Sequence, residues 1–357
     1  MKKVKVSFIV AMYNVATFIE QCARSLFEQT ERDLEFVFVD DASPDNSVEI
    51  IHRVMEEYPE RVPQVKIVRH EKNRRIVETR RDGLQAATGE YVVFVDGDDY
   101  VEPRMAELMY AKAAESGADS VLCDFFYTTN EDYEAGAIPQ DYIDQGVDLR
   151  SAILNRDLNP YVWSKLVRRT VLTDNDIVWG KGSYGEDIVL STMEAYYSKS
   201  VVCVNVPLYH YRNNPHSISN MIDEQRLVRI HEDYTGNIQI IEEFLRSKGC
   251  VDQCVKGLYL SKISARNYLL PLVGMRKYRK MWMESFPEIN KSIFWGDKSH
   301  KSTCRDKIWY LGVALGFYPR FRKILTKKIL RPGPEWRFGI FKFDKSYRNS
   351  LKKEVKT

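Results

Sequence analysis

The stretch G-E-Y-V-V-F-V-D-G-D-D-Y-V-E-P, residues 89–103, decides the fold. Residues 91–95 are almost entirely apolar and predict a short buried strand. Three carboxylates follow, those of Asp96, Asp98 and Asp99. Because burying an unpaired carboxylate costs several kcal/mol, these acids must lie at the carboxyl end of the strand, at the rim of a sheet.

Asp96 and Asp98 are expected to point to the same side of the chain, because alternate residues of an extended segment share a face. Two neighbouring carboxylates repel each other unless a positive charge lies between them. A divalent cation, Mn²⁺ or Mg²⁺, is the expected partner, and such an ion commonly bridges carboxylates to phosphates. A solvated acidic turn is the alternative interpretation, since an isolated D-x-D is common.

The chain before this strand alternates between strand and helix patterns. Strands are predicted at residues 5–11, 34–39 and 65–69, and helices at 16–29, 47–58 and 74–87. This alternation predicts an α/β fold with a mostly parallel central sheet and right-handed crossovers. In such a sheet ligands bind beyond the carboxyl ends of the strands. The polar segments expected to meet there are residues 11–14, 40–45 and 96–99.

The composition is that of a folded soluble protein, with 357 residues, 44% hydrophobic and 29% charged. This length suits one large domain with a smaller one, or two domains. No segment approaches the ~20 apolar residues of a membrane span. The six cysteines form no C-x-x-C pair, which favours reduced thiols in the cytoplasm. Neither of the glycine-rich phosphate-binding motifs, G-x-G-x-x-G and G-x-x-x-x-G-K-[ST], follows a predicted strand.

The first half of the sequence resembles the family-2 glycosyltransferases, which have the GT-A fold. The resemblance rests on V-S-F-I-V-A-M-Y-N, on F-V-F-V-D-D-A-S-P-D-N-S and on the segment from Asn73 to Asp99, in the family's order and spacing. Further similarity, in Y-G-E-D-I-V-L and L-Y-H-Y-R-N-N-P-H-S-I-S, extends to about residue 220. It implies a glycosyltransferase domain at 1–220, with a nucleotide-binding half at 1–105 and an acceptor half at 106–220. Residues 221–357 then form a helical, basic C-terminal region.

The resemblance implies a binding site for a nucleotide-sugar donor, expected to be a UDP-sugar. Asp41 matches the acid that contacts the base, and Ala11 would contact the base through its backbone. Arg80 matches an arginine that approaches the diphosphate. For Asp41, a capping or turn role before the next helix is the structural alternative.

The resemblance also implies roles for the acids that follow the predicted strand at residues 91–95. Asp96 would hold the sugar or ribose and Asp98 the metal and diphosphate, while Asp99 would orient Asp98 or the sugar hydroxyls. A histidine that follows the acceptor half often completes the metal site in this fold. His216 is the first candidate and His210 the second, and for each a purely structural role is the alternative.

One departure from the family lies after Asn73, where the family often has two glycines and this chain has Arg74 and Arg75. Arginine does not replace a flexible backbone turn, but it supplies a bidentate phosphate clamp. Two interpretations stay open, additional phosphate contacts or a solvated run of charge.

Glu186 and Asp187 begin a second predicted site, after the loop W-G-K-G-S-Y-G. Acids in the first turn of a helix are stabilised by its dipole, which is a sufficient structural explanation for one of them. The resemblance assigns Asp187 as the general base and Glu186 as a residue that positions the acceptor. Direct attack by the acceptor hydroxyl would invert the anomeric centre.

The net charge of +3 is unevenly distributed. Residues 301–357 contain 16 Lys and Arg against 4 Asp and Glu, a net +12, which leaves −9 for residues 1–300. The apolar run at 308–318, followed at once by basic residues, is typical of an interfacial amphipathic helix on anionic lipid. A core helix with a solvated basic tail is the alternative. No nucleic-acid-binding motif accompanies the tail, so nucleic acid is not an expected partner.

Together these features predict an inverting, metal-dependent glycosyltransferase of cell-surface polysaccharide biosynthesis. It would act on a glycan or lipid-linked acceptor, in the cytoplasm and peripherally on the inner face of the membrane. The alternative is a non-catalytic protein of the same fold that binds glycan or membrane. Nucleotidyl transfer is disfavoured, because the glycine-rich first loop that usually accompanies it is missing.

Overall fold

The computed structural model describes residues 3–128, 133–136, 149–155, 160–212 and 224–317. Its first part alternates strand and helix as predicted, with boundaries within three residues of the expected ones. The elements are β1 (Val6–Met12), α1 (Ile19–Phe27), β2 (Leu34–Asp40), α2 (Ser47–Glu57), β3 (Val65–Arg69), α3 (Arg75–Ala86) and β4 (Tyr91–Asp96).

These four strands are parallel and lie in the order β3-β2-β1-β4. Ala11 of β1 pairs with Asp96 of β4, and Met12 pairs with Asp40 of β2. The carboxyl ends of the strands are therefore level with one another. The predicted α/β fold with a mostly parallel sheet is confirmed, and the three polar segments meet at one edge.

The sheet continues without a break into the second part of the chain. Among the described residues the strand order runs on from β4 to β8, β6, β9 and β5, and β7 pairs with β6. Antiparallel pairs are confined to this half, where β9 nevertheless runs parallel to β6. The elements are β5 (Tyr100–Val101), α4 (Met105–Ser116), β6 (Ser120–Thr128), β7 (Tyr133–Gly136), α5 (Leu149–Asn155), β8 (Lys165–Arg168), α6 (Arg169–Thr173), α7 (Glu186–Tyr197) and β9 (Val201–Arg212).

Helix α3 packs unusually close to the sheet because it carries Gly83. A Cβ atom at that position would lie 2.3 Å from Cγ2 of Ile9, a distance that a packed core does not tolerate. The close approach brings the preceding turn of α3, which includes Arg80, over the end of β4.

The C-terminal part is helical, as predicted. Its helices are α8 (Glu224–Ser247), α9 (Val255–Asn267), α10 (Arg276–Glu284), α11 (Glu288–Trp295) and α12 (Cys304–Ala314), and short 3₁₀ turns occur at Val62–Gln64 and Val251–Cys254. Helix α12 begins with a capping box between Thr303 and Asp306. In the part of the chain that the structure describes, no helix combines the length and the apolar character needed to cross a bilayer.

Candidate active site

Arg80 is the centre of the site. One terminal nitrogen of its guanidinium, Nη1, lies 2.6 Å from Oδ1 of Asp187 and 3.3 Å from Oε1 of Glu186. The other, Nη2, lies 2.9 Å from Oδ1 of Asp96. The side chain is only 5% exposed. Arg80 on α3 therefore joins the two predicted sites, the acids at the end of β4 and the acids at the start of α7.

The buried charges around Arg80 perturb one another. Burial opposes the charged form of Arg80, but attraction by Asp187, Asp96 and Glu186 outweighs it and raises the pKa of the guanidinium. Burial and repulsion by Asp187 raise the pKa of Glu186 to about 8, against the attraction of Arg80. Glu186 is therefore largely protonated at neutral pH.

Asp96 and Asp99, at and after the end of β4, have different surroundings. Burial, with repulsion by Asp98, raises the pKa of Asp96 despite the attraction of Arg80. Asp99 lies deeper, and its carboxylate faces β9. Its Oδ2 accepts a hydrogen bond from Oη of Tyr209 at 2.7 Å, and its Oδ1 accepts one from the backbone N–H of Arg212 at 2.8 Å. Burial and repulsion by Asp98 and Asp96 raise the pKa of Asp99 well above its usual range.

The turn between these acids depends on Gly97. Its backbone N–H donates to the carbonyl of Ala11 at 3.0 Å, and a Cβ atom there would lie 2.9 Å from the same oxygen. The carbonyl of Ala11, near the end of β1, therefore accepts a hydrogen bond from the turn that carries the acids. The role of Ala11 in base binding stays a prediction.

Asp41 is buried and accepts hydrogen bonds from three donors. Its Oδ1 lies 2.7 Å from Nδ1 of His70 and 2.7 Å from the backbone nitrogen of Arg74, and its Oδ2 lies 2.8 Å from the backbone nitrogen of Arg75. Asp41 therefore holds the turn before α3 and does not cap α2. The role of Asp41 in binding the base stays a prediction.

The two arginines after Asn73 differ in conformation. Arg75 has φ of 71°, the left-handed region that suits glycine. The hydrogen bonds that the backbone N–H groups of Arg74 and Arg75 donate to Asp41 stabilise this strained turn. The side chain of Arg74 forms ion pairs with Glu78 and Asp82 on α3. The Arg74 guanidinium therefore belongs to a partly exposed charge network, which favours the solvated-charge interpretation for that residue.

The carboxylates can be compared with the needs of a divalent cation. Among the described residues no group of three or more His, Cys, Asp or Glu side chains is placed to hold a metal ion. Five acids nevertheless crowd this edge, against the guanidinium of Arg80 and that of Arg212, whose Nε donates to the carbonyl of Asp98 at 2.9 Å. The negative charge at this edge and the carboxylate oxygens of Asp96 and Asp98 are chemically suited to a divalent cation such as Mn²⁺ or Mg²⁺.

The two candidate histidines are in different situations. His216 lies outside the described residues. His210 is buried between the rings of Tyr100 and Phe126, at centroid distances of 4.1 and 4.6 Å. Its Nε2 lies 2.6 Å from Oε1 of Glu102 and its Nδ1 lies 3.2 Å from Oγ1 of Thr128. These contacts match the structural alternative for His210.

The loop before Glu186 is held by helix α8, a contact that the sequence did not reveal. The side-chain amide of Asn237 donates to the carbonyls of Lys181 and Tyr184, both at 2.9 Å, and accepts from the N–H of Lys181 at 2.7 Å. The carboxylate of Asp233 accepts from the N–H of Ser183 at 2.9 Å. The C-terminal helices thus fix the position of Glu186 and Asp187.

Other contributors escaped the sequence analysis because their roles depend on distant partners. His70 and Asp82 support Asp41, and Tyr209 and Arg212 support Asp99. The only sequence signal for the second pair was the polar and aromatic L-Y-H-Y-R segment at the end of β9.

Comparison with known proteins identifies the family. The family model described as glycosyl transferase family 2 matches residues 7–180. The uncharacterized glycosyltransferase YibD of Escherichia coli (strain K12) is 31% identical over 264 residues, which cover 67% of this chain and 75% of YibD. EpsH of Bacillus subtilis (strain 168), which carries a provisional glycosyltransferase name, is 33% identical over 60% of this chain. The matched region covers 62% of EpsH, less than two thirds of its length.

Solved structures show the same fold. The crystal structure of S. aureus TarS 1–349 in complex with UDP covers 90% of both chains with a TM-score of 0.62 at 18% identity. A second structure of the same TarS fragment, in complex with UDP-GlcNAc, has the same score, coverage and identity. From its sequence relatives, and in agreement with this architecture, the chain belongs to glycosyltransferase family 2.

Proposed function

We propose that this protein transfers a sugar from a nucleotide-activated donor, a UDP-sugar, to a hydroxyl group of a glycan or lipid-linked acceptor. The observation that carries the proposal is the bridge from Arg80 to Asp96 at the end of β4 and to Asp187 at the start of α7. A donor held at β4 would therefore lie beside a carboxylate able to act on an acceptor. The UDP and UDP-GlcNAc complexes of TarS, which shares the fold, support the choice of donor.

On this proposal the donor lies across the carboxyl ends of β1, β2 and β4. Asp41 contacts the base, Asp96 and Asp98 hold a divalent cation and the diphosphate, and Asp99 supports this turn from beneath through Tyr209. The cation, Mn²⁺ or Mg²⁺, would stabilise the charge that develops on the departing diphosphate.

Asp187 is the proposed general base. The acceptor oxygen forms a bond to the anomeric carbon while the bond from that carbon to the diphosphate breaks, and Asp187 takes the hydroxyl proton. Because attack and departure occur on opposite faces, the anomeric configuration inverts. The raised pKa of Glu186, about 8, leaves Glu186 mostly protonated and unable to accept this proton at neutral pH. Protonated Glu186 can instead donate a hydrogen bond that positions the acceptor.

The exposed apolar surface of the C-terminal part supports a membrane-associated acceptor. Ile308 and Leu311 are three residues apart, so they share one side of α12, and Leu315 is the residue that caps the carboxyl end of this helix and is 61% exposed. Trp295, the last residue of α11, is 77% exposed. We call Ile308, Leu311 and Leu315 the α12 patch. The basic residues that follow position 317 would add attraction to anionic lipid, as expected for a peripheral protein on the inner face of the membrane.

Nucleotide binding tests the proposal. Titration of UDP into the protein, with and without Mn²⁺ or Mg²⁺, should show metal-dependent binding that Asp98→Asn abolishes. The alternative, a non-catalytic glycan- or membrane-binding protein, instead predicts that Asp98→Asn and Asp187→Asn leave lipid and glycan binding unchanged and that UDP does not bind.

A further inference from the structure

We infer that His70 positions Asp41 for binding the donor nucleotide. This inference rests on the proposed function, since it assigns a positioning residue to the donor site. His70 directly follows β3, and its backbone N–H donates to the carbonyl of Asp40 at 2.9 Å. Its side chain is 4% exposed and lies between two carboxylates, those of Asp41 and Asp82.

Both ring nitrogens of His70 face acids. Nδ1 lies 2.7 Å from Oδ1 of Asp41, and Nε2 lies 3.0 Å from Oδ2 of Asp82. An ionised carboxylate only accepts hydrogen bonds, so the ring nitrogen of His70 that carries the hydrogen donates to the acid that it faces. A hydrogen bond to an ionised acceptor is charge-assisted and stronger than a neutral one.

The other contacts of the two acids show why the histidine matters for Asp41 in particular. Asp82 has, besides His70, a cationic partner in the guanidinium of Arg74. The remaining donors to Asp41 are backbone N–H groups of Arg74 and Arg75, at 2.7 and 2.8 Å. Among the contacts described for Asp41, His70 supplies the side-chain partner. It fixes the rotation of the carboxylate and offsets its burial.

The turn that Asp41 holds is strained, which increases the importance of its support. Arg75 adopts the left-handed conformation at φ of 71°, at a cost of about 1–2 kcal/mol for a residue other than glycine. A carboxylate fixed by His70 stabilises this conformation through the N–H groups of Arg74 and Arg75. Loss of His70 would therefore loosen both the carboxylate and the turn that leads into α3.

Two substitutions distinguish the role of Nδ1 of His70 from that of Nε2. In His70→Asn the amide nitrogen takes the place of Nδ1 and can still donate to Asp41. In His70→Gln the amide nitrogen takes the place of Nε2 and can donate to Asp82 only. His70→Ala removes both donors, and His52→Ala, at an exposed position on α2, is the matched control.

Isothermal titration with UDP and Mn²⁺ measures the effect on the donor. We expect His70→Ala and His70→Gln to raise the Kd by about tenfold or more, in line with the loss of a charge-assisted hydrogen bond. His70→Asn should recover most of the affinity, and His52→Ala should match the wild type. Equal Kd values for the Ala, Asn and wild-type proteins would overturn the inference.

Hydrogen exchange keeps the inference testable without a nucleotide. In the free protein, His70→Ala and His70→Gln should speed the exchange of the Arg74 and Arg75 amides at least several-fold, while His70→Asn should not. If the wild type binds no UDP, the proposed function fails. Exchange of the Arg74 and Arg75 amides then tests separately whether His70 holds Asp41. Unchanged exchange of these amides in His70→Ala would contradict that contact's role.

Discussion

Nη1 of Arg80 and Oδ1 of Asp187 lie 2.6 Å apart, although 107 residues separate them in the chain. The contact joins α3, which packs on the parallel half of the sheet, to the first turn of α7. Arg80 also contacts Glu186 and Asp96, so one guanidinium joins three acidic residues, and its positive charge compensates the carboxylates of Asp96 and Asp187.

Replacing Arg80 by methionine should destabilise the fold strongly. Removal of one partner from a buried ionic cluster leaves uncompensated charge, which typically costs about 3–5 kcal/mol. Urea unfolding at neutral pH measures the loss. The control is Arg81→Met on the same helix, where the arginine is 48% exposed and pairs with Glu78 at 3.4 Å. That change should cost less than about 1 kcal/mol, and similar losses for the two variants would contradict the central position of Arg80.

The raised pKa of Glu186 predicts a pH dependence of stability. The folded protein holds a proton on Glu186 up to about pH 8, whereas the unfolded chain releases it near its ordinary value of 4.5. The folded state therefore binds more protons between these values, and the contribution of this group to stability falls as the pH rises through that window. At about 1.4 kcal/mol for each pKa unit, the total loss is several kcal/mol.

Glu186→Gln tests this dependence, because glutamine does not titrate. Its free energy of unfolding, measured in urea between pH 5 and about pH 9, should decline less with pH than that of the wild type. A decline of the same steepness in both proteins would show that Glu186 is not the group responsible.

Gly180→Ala should displace the start of α7. A Cβ atom at residue 180 would lie 2.8 Å from Cα of Glu186, and a backbone atom cannot rotate away as a side chain can. Overpacking of this kind costs about 1–3 kcal/mol, and the displaced carboxylates should lower kcat more than they raise the KM for the donor. Steady-state kinetics checks this. Gly236→Ala on α8 is the control, because its Cβ would meet nothing within 4 Å and should leave kcat unchanged.

The α12 patch should contribute to membrane binding. Ile308→Asp combined with Leu311→Asp should reduce sedimentation with vesicles containing phosphatidylglycerol by about tenfold, since burial of apolar side chains drives interfacial binding. Val62→Asp is the control, at an exposed apolar residue elsewhere in the molecule. Undiminished sedimentation of the double variant would contradict a role of the patch in membrane binding. If the double variant instead loses the ability to form a dimer, the patch serves self-association.

Local periodicity was sufficient to predict the first four strands, the first three helices and the parallel sheet. Apolar runs such as Tyr91–Val95 are the direct signature of buried strands, and topology alone then placed Ala11, Asp41 and Asp96 at one edge. The sequence could not reveal what each acid contacts. The partners of Asp41 come from a turn about 30 residues away, and those of Asp99 from β9, more than 100 residues away.

The interpretation of Glu186 and Asp187 shows the same limit. The glycine-rich loop before them signalled a tight turn, but its attachment to Asn237 depends on a helix that begins after residue 223. The proposed division of roles between the two acids rests on burial and on their shared contact with Arg80. Neither the burial of these acids nor their contact with Arg80 can be predicted from the spacing of residues.

Release of nucleotide from a panel of UDP-sugars, with and without Mn²⁺, tests the central claim most directly. The wild type should release UDP only with the metal. Asp187→Asn should lower kcat by roughly 100-fold or more while the Kd for UDP stays within about twofold of the wild type. If the wild type releases no nucleotide from any donor, or if Asp187→Asn turns over as fast as the wild type, the proposed mechanism is wrong.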